Sequence, residues 1–196
     1  MWHAFTNIGD AAVTLPVAIV CAGWIAMSNL RLAFRWGLVL SAGMALVGAT
    51  KILYAGWGVS FPEIEFRVIS GHTMLATSVW TVTIALLLRS WGLPATVGVV
   101  GGLIVGACTG LARVFDHSHS LSEVAIGWVV GAVVGAVFLR ACVNAKLEQF
   151  RPMAVTITLL VVSTLAYGHT TPFQRLIDGH SPAIRARAAA DVARVF

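Results

Sequence analysis

The segment ARVFDHSHSLSEVAIGW, from Ala112 to Trp128, sets Arg113 six residues before His119 and His119 four residues before Glu123. Four residues make about one helical turn, so His119 and Glu123 would face the same side there. A carboxylate that accepts from one ring nitrogen fixes the tautomer and leaves the other nitrogen its lone pair. That is what a nucleophilic imidazole requires. Arg113 is a planar cation suited to bidentate contact with phosphate oxygens. Ser120 or Ser122 can cap the helix that follows and direct its free N–H groups to the same face. A second segment, KILYAGWGVSFPEIEFRVISGHT from Lys51 to Thr73, ends in Ser70-Gly71-His72. Ser70 stands at the start of an apolar run as an N-cap, where unpartnered N–H groups and the helix dipole favour an anion. Gly71 lets an oxyanion approach the main chain, and His72 adds a titratable imidazole.

These residues have to be held by helices in lipid. The chain has 196 residues, 58% apolar and only 11% charged, with a mean hydropathy of +0.87. Soluble domains carry roughly 25% charged residues, so the composition excludes a disordered chain, a nucleic-acid-binding tail protein and an ordinary soluble enzyme. The expected architecture is an all-α polytopic bundle of six transmembrane helices, with the active site between loops on the outer face. Spans are expected near 11–28, 36–56, 71–88, 94–112, 122–142 and 153–169, each close to the roughly 20 residues a crossing needs. Residues 1–170 form the membrane domain, and 171–196 a tail. In the tail Ser181 and Pro182 suit a helix start, and the arginines of IRARAAADVARVF suit a helix lying on anionic lipid. MWHAFTNIGD has no Lys or Arg and does not resemble a cleavable signal.

Charge by position gives the orientation. Arg31 and Arg35 lie in the first connection, Arg89 in the third, and Arg140, Lys146 and Arg151 in the fifth. Odd connections are therefore cytoplasmic and both termini outside, although Arg175, Arg185, Arg187 and Arg194 in the tail oppose this. Lys51, Arg67 and Arg113 lie in or beside the outer connections and are assigned to chemistry. Gly102, Gly106 and Gly110 line one face of the fourth span; Gly127, Gly131 and Gly135 line one face of the fifth. Such stripes let helices approach closely, and these two helices are expected to pack on each other. Cys21, Cys108 and Cys142 fall in apolar runs as small core residues, with no disulfide or metal spacing.

Arg, five residues, His, three residues, an acidic residue and then Gly-Trp closely resembles the third signature of the type 2 phosphatidic acid phosphatase superfamily. Ser70-Gly71-His72 resembles its second signature, and Lys51 the start of its first; the resemblance covers roughly residues 36–142. It implies a bacterial integral-membrane lipid phosphatase that needs no metal or other cofactor. In it His119 would attack phosphorus and carry a phosphohistidine, and Glu123 would orient it. His72 would protonate the leaving oxygen and then activate water. Lys51, Arg113, Ser70 and Gly71 would hold phosphoryl oxygens. Glu123 stands where the family more often has Asp. Gly58 and Val59 replace the Arg-Pro of the first signature, Ala112 replaces a Ser and Ile69 a Pro. Arg67 is the available substitute for the missing arginine.

The expected substrate is a lipid phosphate or diphosphate, with membrane lipids as the surroundings and no nucleic acid, at the periplasmic face of a bacterial inner membrane. A phosphotransferase using a prenyl diphosphate donor is the nearest alternative. From another class comes a metal- or proton-binding transporter built on Asp116, His117, His119, His72 and Glu123, which the cations Lys51 and Arg113 oppose. His117, Asp116, Glu63 and Glu65 read as solvated loop residues, and Trp2, Trp57, Trp91 and Trp128 as interface anchors. His3, His169 and His180 near the termini receive no role.

Overall fold

The computed structural model describes residues 6–143, 145 and 152–166. The tail helix expected from Ser181, together with Trp2, His3, Lys146, Arg151, His169 and His180, lies outside the described residues. Within them the chain forms six α-helices: α1 Ala11–Ser28, α2 Leu30–Trp57, α3 Gly71–Ser90, α4 Ala95–Phe115, α5 Leu121–Cys142 and α6 Pro152–Ala166. The first five are long and apolar enough to cross a membrane, and α6 is a shorter apolar helix. The protein is a polytopic helical bundle. The helices follow the apolar runs closely except at α2, which begins six residues before the expected 36. Asn29 caps it there, accepting from the Leu32 N–H at 3.1 Å, so Arg31 and Arg35 sit in its first turns rather than in a loop. At 28 residues and about 1.5 Å per residue, α2 outreaches a hydrocarbon core of about 30 Å.

The core is organised around α3, the most buried of the spans. Its inward residues include Thr73, Thr77, Ser78 and Thr81. Small hydroxyl side chains keep this helix thin, and two return their protons to their own helix. Thr77 Oγ1 donates to the Thr73 carbonyl at 2.7 Å and Ser78 Oγ to that of Met74 at 2.9 Å. Two glycine faces close on it. A Cβ at Gly98 of α4 would lie 2.5 Å from Ala85 Cα; at Gly127 and Gly131 of α5 it would lie 2.7 Å from the Ser70 and 2.6 Å from the Met74 carbonyl oxygen. Gly102 and Gly106 face Thr81 and Thr77 in the same way. The expectation that α4 and α5 pack stripe to stripe is therefore corrected: both stripes dock on α3, from two sides. At Gly110 the α4 stripe also reaches Val124 of α5. The short connection between α4 and α5 is thus set by two helices seated on a common third.

Elsewhere Trp36 of α2 packs at a tilt on Phe138 of α5, ring centroids 5.0 Å apart, and donates to the Ala18 carbonyl of α1 at 3.1 Å. Cys21 and Cys142 are buried as expected, but Cys108 is exposed on the outward side of α4 with Val100 and Ile104. Trp57 and Trp91 are exposed near helix ends. Trp128 departs from its expected role as an anchor: its indole N–H donates to the Leu103 carbonyl at 3.0 Å and ties α5 to α4. At the end of the bundle away from the histidines, Arg89 donates to the Cys142 and Ala145 carbonyls at 2.8 and 2.9 Å. It closes the C-terminus of α5, where a cation also suits the helix dipole.

Candidate active site

The site begins where α4 stops. The Ser118 N–H bonds to the Arg113 carbonyl at 3.1 Å and the His117 N–H to that of Val114 at 3.0 Å. His117 has φ of 53°. This is a Schellman ending with histidine at the left-handed position usually held by glycine. It folds the chain back so that the His119 N–H also meets the Arg113 carbonyl, at 3.3 Å. One residue later Ser120 opens α5 with a capping box: Ser120 Oγ accepts from the Glu123 N–H and Glu123 Oε2 from the Ser120 N–H, both at 3.3 Å. His117 is exposed and shapes the turn. Asp116 approaches Arg113 Nη1 at 3.7 Å and accepts from Ser118 Oγ at 3.1 Å, bracing the arginine.

The cap brings His119 back onto Glu123. Their Nδ1 and Oε2 atoms are 2.6 Å apart, the pairing read from the four-residue spacing. The carboxylate accepts, so Nδ1 carries the proton and Nε2 keeps its lone pair. Glu123 Oε1 reaches further, accepting from the Arg67 and Val68 N–H groups at 3.0 and 3.2 Å. The Ser70 N–H donates to the Glu123 carbonyl at 3.2 Å. One buried carboxylate therefore joins the imidazole, the start of α5 and the strand-like stretch before α3. The pKa of His119 is held below the usual histidine value, first by burial and then by the charges of Arg113 and Lys51, against the opposing pull of Glu123.

Lys51, partly buried in the last turns of α2, and Arg113 both lie within electrostatic reach of His119. Arg113 Nε is buried and has no hydrogen-bond partner among the described residues. Ser70 occupies the N-cap position of α3 but does not cap it by its side chain. Its hydroxyl is fully buried and lies 2.9 Å from Thr73 Oγ1. Gly71 is different from the packing glycines, since a Cβ there would meet Val47 Cγ1 at an ordinary 3.4 Å. The Arg67 side chain is exposed, and the residue enters the site through its main-chain N–H. The fold thus gathers Lys51, Ser70, Gly71, His72, Arg113, His119 and Glu123 at one end of the bundle.

Sequence reasoning missed Asp10. It is buried, caps α1 by accepting from the Ala12 N–H at 2.8 Å, and places Oδ2 3.4 Å from His72 Nε2. An acidic residue directly before the first apolar run was the available signal.

A family model described as the PAP2 superfamily matches residues 50–147. The chain belongs to this superfamily. The matched stretch holds Lys51, the Ser70–His72 turn, Arg113, His119 and Glu123, whereas Asp10 lies outside it. PAP2 members are phosphatases, which places the chain among phosphoric ester hydrolases in general. An uncharacterized 22.5 kDa protein in the cps region of Klebsiella pneumoniae is 30% identical over 141 residues, covering 70% of this chain and 68% of that protein. No solved structure matches the chain.

Proposed function

We propose that this PAP2 protein hydrolyses the phosphate or diphosphate head of a membrane lipid through a phosphohistidine, on the outer face of a bacterial inner membrane. The observation that carries this reading is the His119 imidazole held by Glu123 through Nδ1, within electrostatic reach of Arg113, whose buried Nε has no partner among the described residues. A buried unpaired donor is costly, and a phosphoryl oxygen would relieve it. Lys51, Arg113 and the Gly71 N–H at the start of α3 are assigned to the phosphoryl oxygens, whose charge must be stabilised as the group transfers. Arg67 and the Ser70 hydroxyl serve here as local structure.

The His119 Nε2 lone pair forms the N–P bond as the bond from phosphorus to the leaving oxygen breaks. That oxygen takes a proton from the His72 imidazolium and departs as an alcohol or a monophosphate. Neutral His72 then takes a proton from water, whose oxygen attacks phosphorus. The N–P electrons return to His119 and phosphate leaves. The cations and helix N-termini supply the electrostatic stabilisation, so no divalent ion is called on. Outward-facing apolar residues such as Val100, Ile104 and Val133 suit a site whose substrate arrives with its tail in the bilayer. Phosphatidic acid, phosphatidylglycerophosphate and undecaprenyl diphosphate all carry the required head.

The test is phosphate release from these three lipids by purified protein in EDTA, without any acceptor lipid. Native protein should release phosphate and form a base-stable, acid-labile phosphoenzyme. His119→Ala should do neither. Equal release by the two proteins would remove the nucleophile, and a requirement for magnesium would overturn the metal-free reading.

A further inference from the structure

The site contains a second histidine–carboxylate pair, whose carboxylate lies outside the family-matched stretch. We infer that Asp10 is a positioning residue for His72, holding its Nε2 edge so that Nδ1 faces the leaving oxygen. The inference rests on the proposed phosphatase reading and assigns a part of the site to the first span.

Asp10 is 6% exposed, and the segment before it is pinned in place. The Ile8 carbonyl accepts from the Trp80 indole at 3.0 Å. A Cβ at Gly9 would lie 2.6 Å from Thr109 Cγ2 and 2.9 Å from the His72 carbonyl oxygen. Glycine is thus what lets this segment sit directly on the turn that carries His72. Two contacts of the carboxylate matter here. Oδ1 accepts from the Ala12 N–H at 2.8 Å, which fixes the group at the start of α1. Oδ2 is left 3.4 Å from His72 Nε2. Arg113 is also within electrostatic reach of Asp10, so one carboxylate acts on both the His72 imidazole and a cation assigned to the phosphate.

The two pairs use opposite ring nitrogens. Glu123 takes Nδ1 of His119 and leaves Nε2 to attack; Asp10 lies on the Nε2 side of His72, at ion-pair distance, and leaves Nδ1 to deliver a proton. In the first step the His72 Nδ1–H proton goes to the departing oxygen as the P–O bond breaks. In the second, Nδ1 receives a proton from the attacking water. Nε2 keeps its proton toward Asp10 throughout.

The experiment separates this role from capping. Asn and Ser are both good N-caps, so Asp10→Asn and Asp10→Ser keep α1 started while removing the charge. They are compared with native protein on phosphatidic acid, whose alkoxide needs a proton to leave, and on p-nitrophenyl phosphate, whose phenolate does not. Turnover of the lipid should fall about tenfold in both variants, the low end for a charged hydrogen bond. Its KM, the thermal midpoint and the initial burst of nitrophenolate should be unchanged. Native rates on both substrates, or equal losses in lipid turnover and burst, would show that Asp10 only caps α1 and would overturn the inference. A native protein that releases phosphate from neither substrate would instead defeat the phosphatase reading itself.

Discussion

Five residues, 116–120, join α4 to α5, and thirteen, 58–70, join α2 to α3; both connections border the candidate site. The short one is built almost wholly from neighbours in sequence: a Schellman ending, a left-handed His117 and a capping box hold it. The long one is mostly exposed from Gly58 to Glu65, with a short 3-10 turn at Pro62–Ile64 and a bridge between Phe61 and Phe66. Its far end is held by distant partners. Glu123 takes the Arg67 and Val68 N–H groups, and Thr50 Oγ1 takes that of Ile69 at 3.1 Å. The proposed nucleophile thus sits on a locally determined turn, while the start of α3 depends on long-range bonds that converge on the short turn's own carboxylate.

The strongest way to break this asymmetry is at Glu123, where the two connections meet. An aspartate keeps the charge but is one methylene shorter, and it cannot serve His119, the cap and the Arg67–Val68 N–H groups together. Glu123→Asp should lower turnover about ten- to a hundredfold, the equivalent of one charged hydrogen bond of about 1.5–3 kcal/mol. It should also lower the thermal midpoint in detergent. Native kinetics would show that the long connection needs no tether from α5.

Lys51 leads into the long connection and Arg113 into the short one, and both disfavour a proton on His119. Removing a positive charge makes that proton easier to hold, so His119 loses it at higher pH. The acid limb of kcat/KM, which reports the free enzyme, should therefore move to higher pH in Lys51→Gln. A limb that stays in place would mean that a different group controls it.

Gly71 tests the phosphate-facing start of α3. A Cβ there makes only an ordinary contact with Val47, so Gly71→Ala should fold normally, and its methyl should hold an oxyanion off the main-chain N–H, for a loss of about two- to tenfold in kcat/KM. An unchanged constant would mean that no phosphoryl oxygen comes close to the main chain at Gly71. The smallest effect is expected at His117. His117→Gly relieves a left-handed histidine at the cost of chain entropy, for a net gain of up to about 1 kcal/mol. Urea or thermal unfolding would register it, and activity should be unaltered. Lost activity would mean that the His117 side chain, and not only its backbone, serves the site.

The same asymmetry explains what could be read from the chain. The six helices follow from long apolar runs, and the His119–Glu123 contact and the Ser120 cap from spacings of four and three residues. Contacts between distant residues left no such trace. Glu123 meets Arg67 across 56 positions, and Asp10 meets His72 across 62. The glycine stripes announced close approach without saying to what: a small-residue face records the distance to a neighbour but not its identity. Ser70 misled in a related way. Its type and place marked the helix start correctly, but a hydroxyl has two uses there, and Thr73 took it.

The seating of α4 and α5 on α3 also sets how the gene can change. Every single-base change that replaces a glycine adds at least a methyl group or ends the chain. At Gly98, Gly102, Gly106, Gly127 and Gly131 that methyl would meet main chain or a buried threonine. Along this seam no small evolutionary step is available. A few residues away, Val100, Ile104 and Val133 face outward and can exchange freely with other apolar residues. Drift in these two helices should therefore run along one side only, so that each helix carries a frozen inner edge and a freely varying outer one.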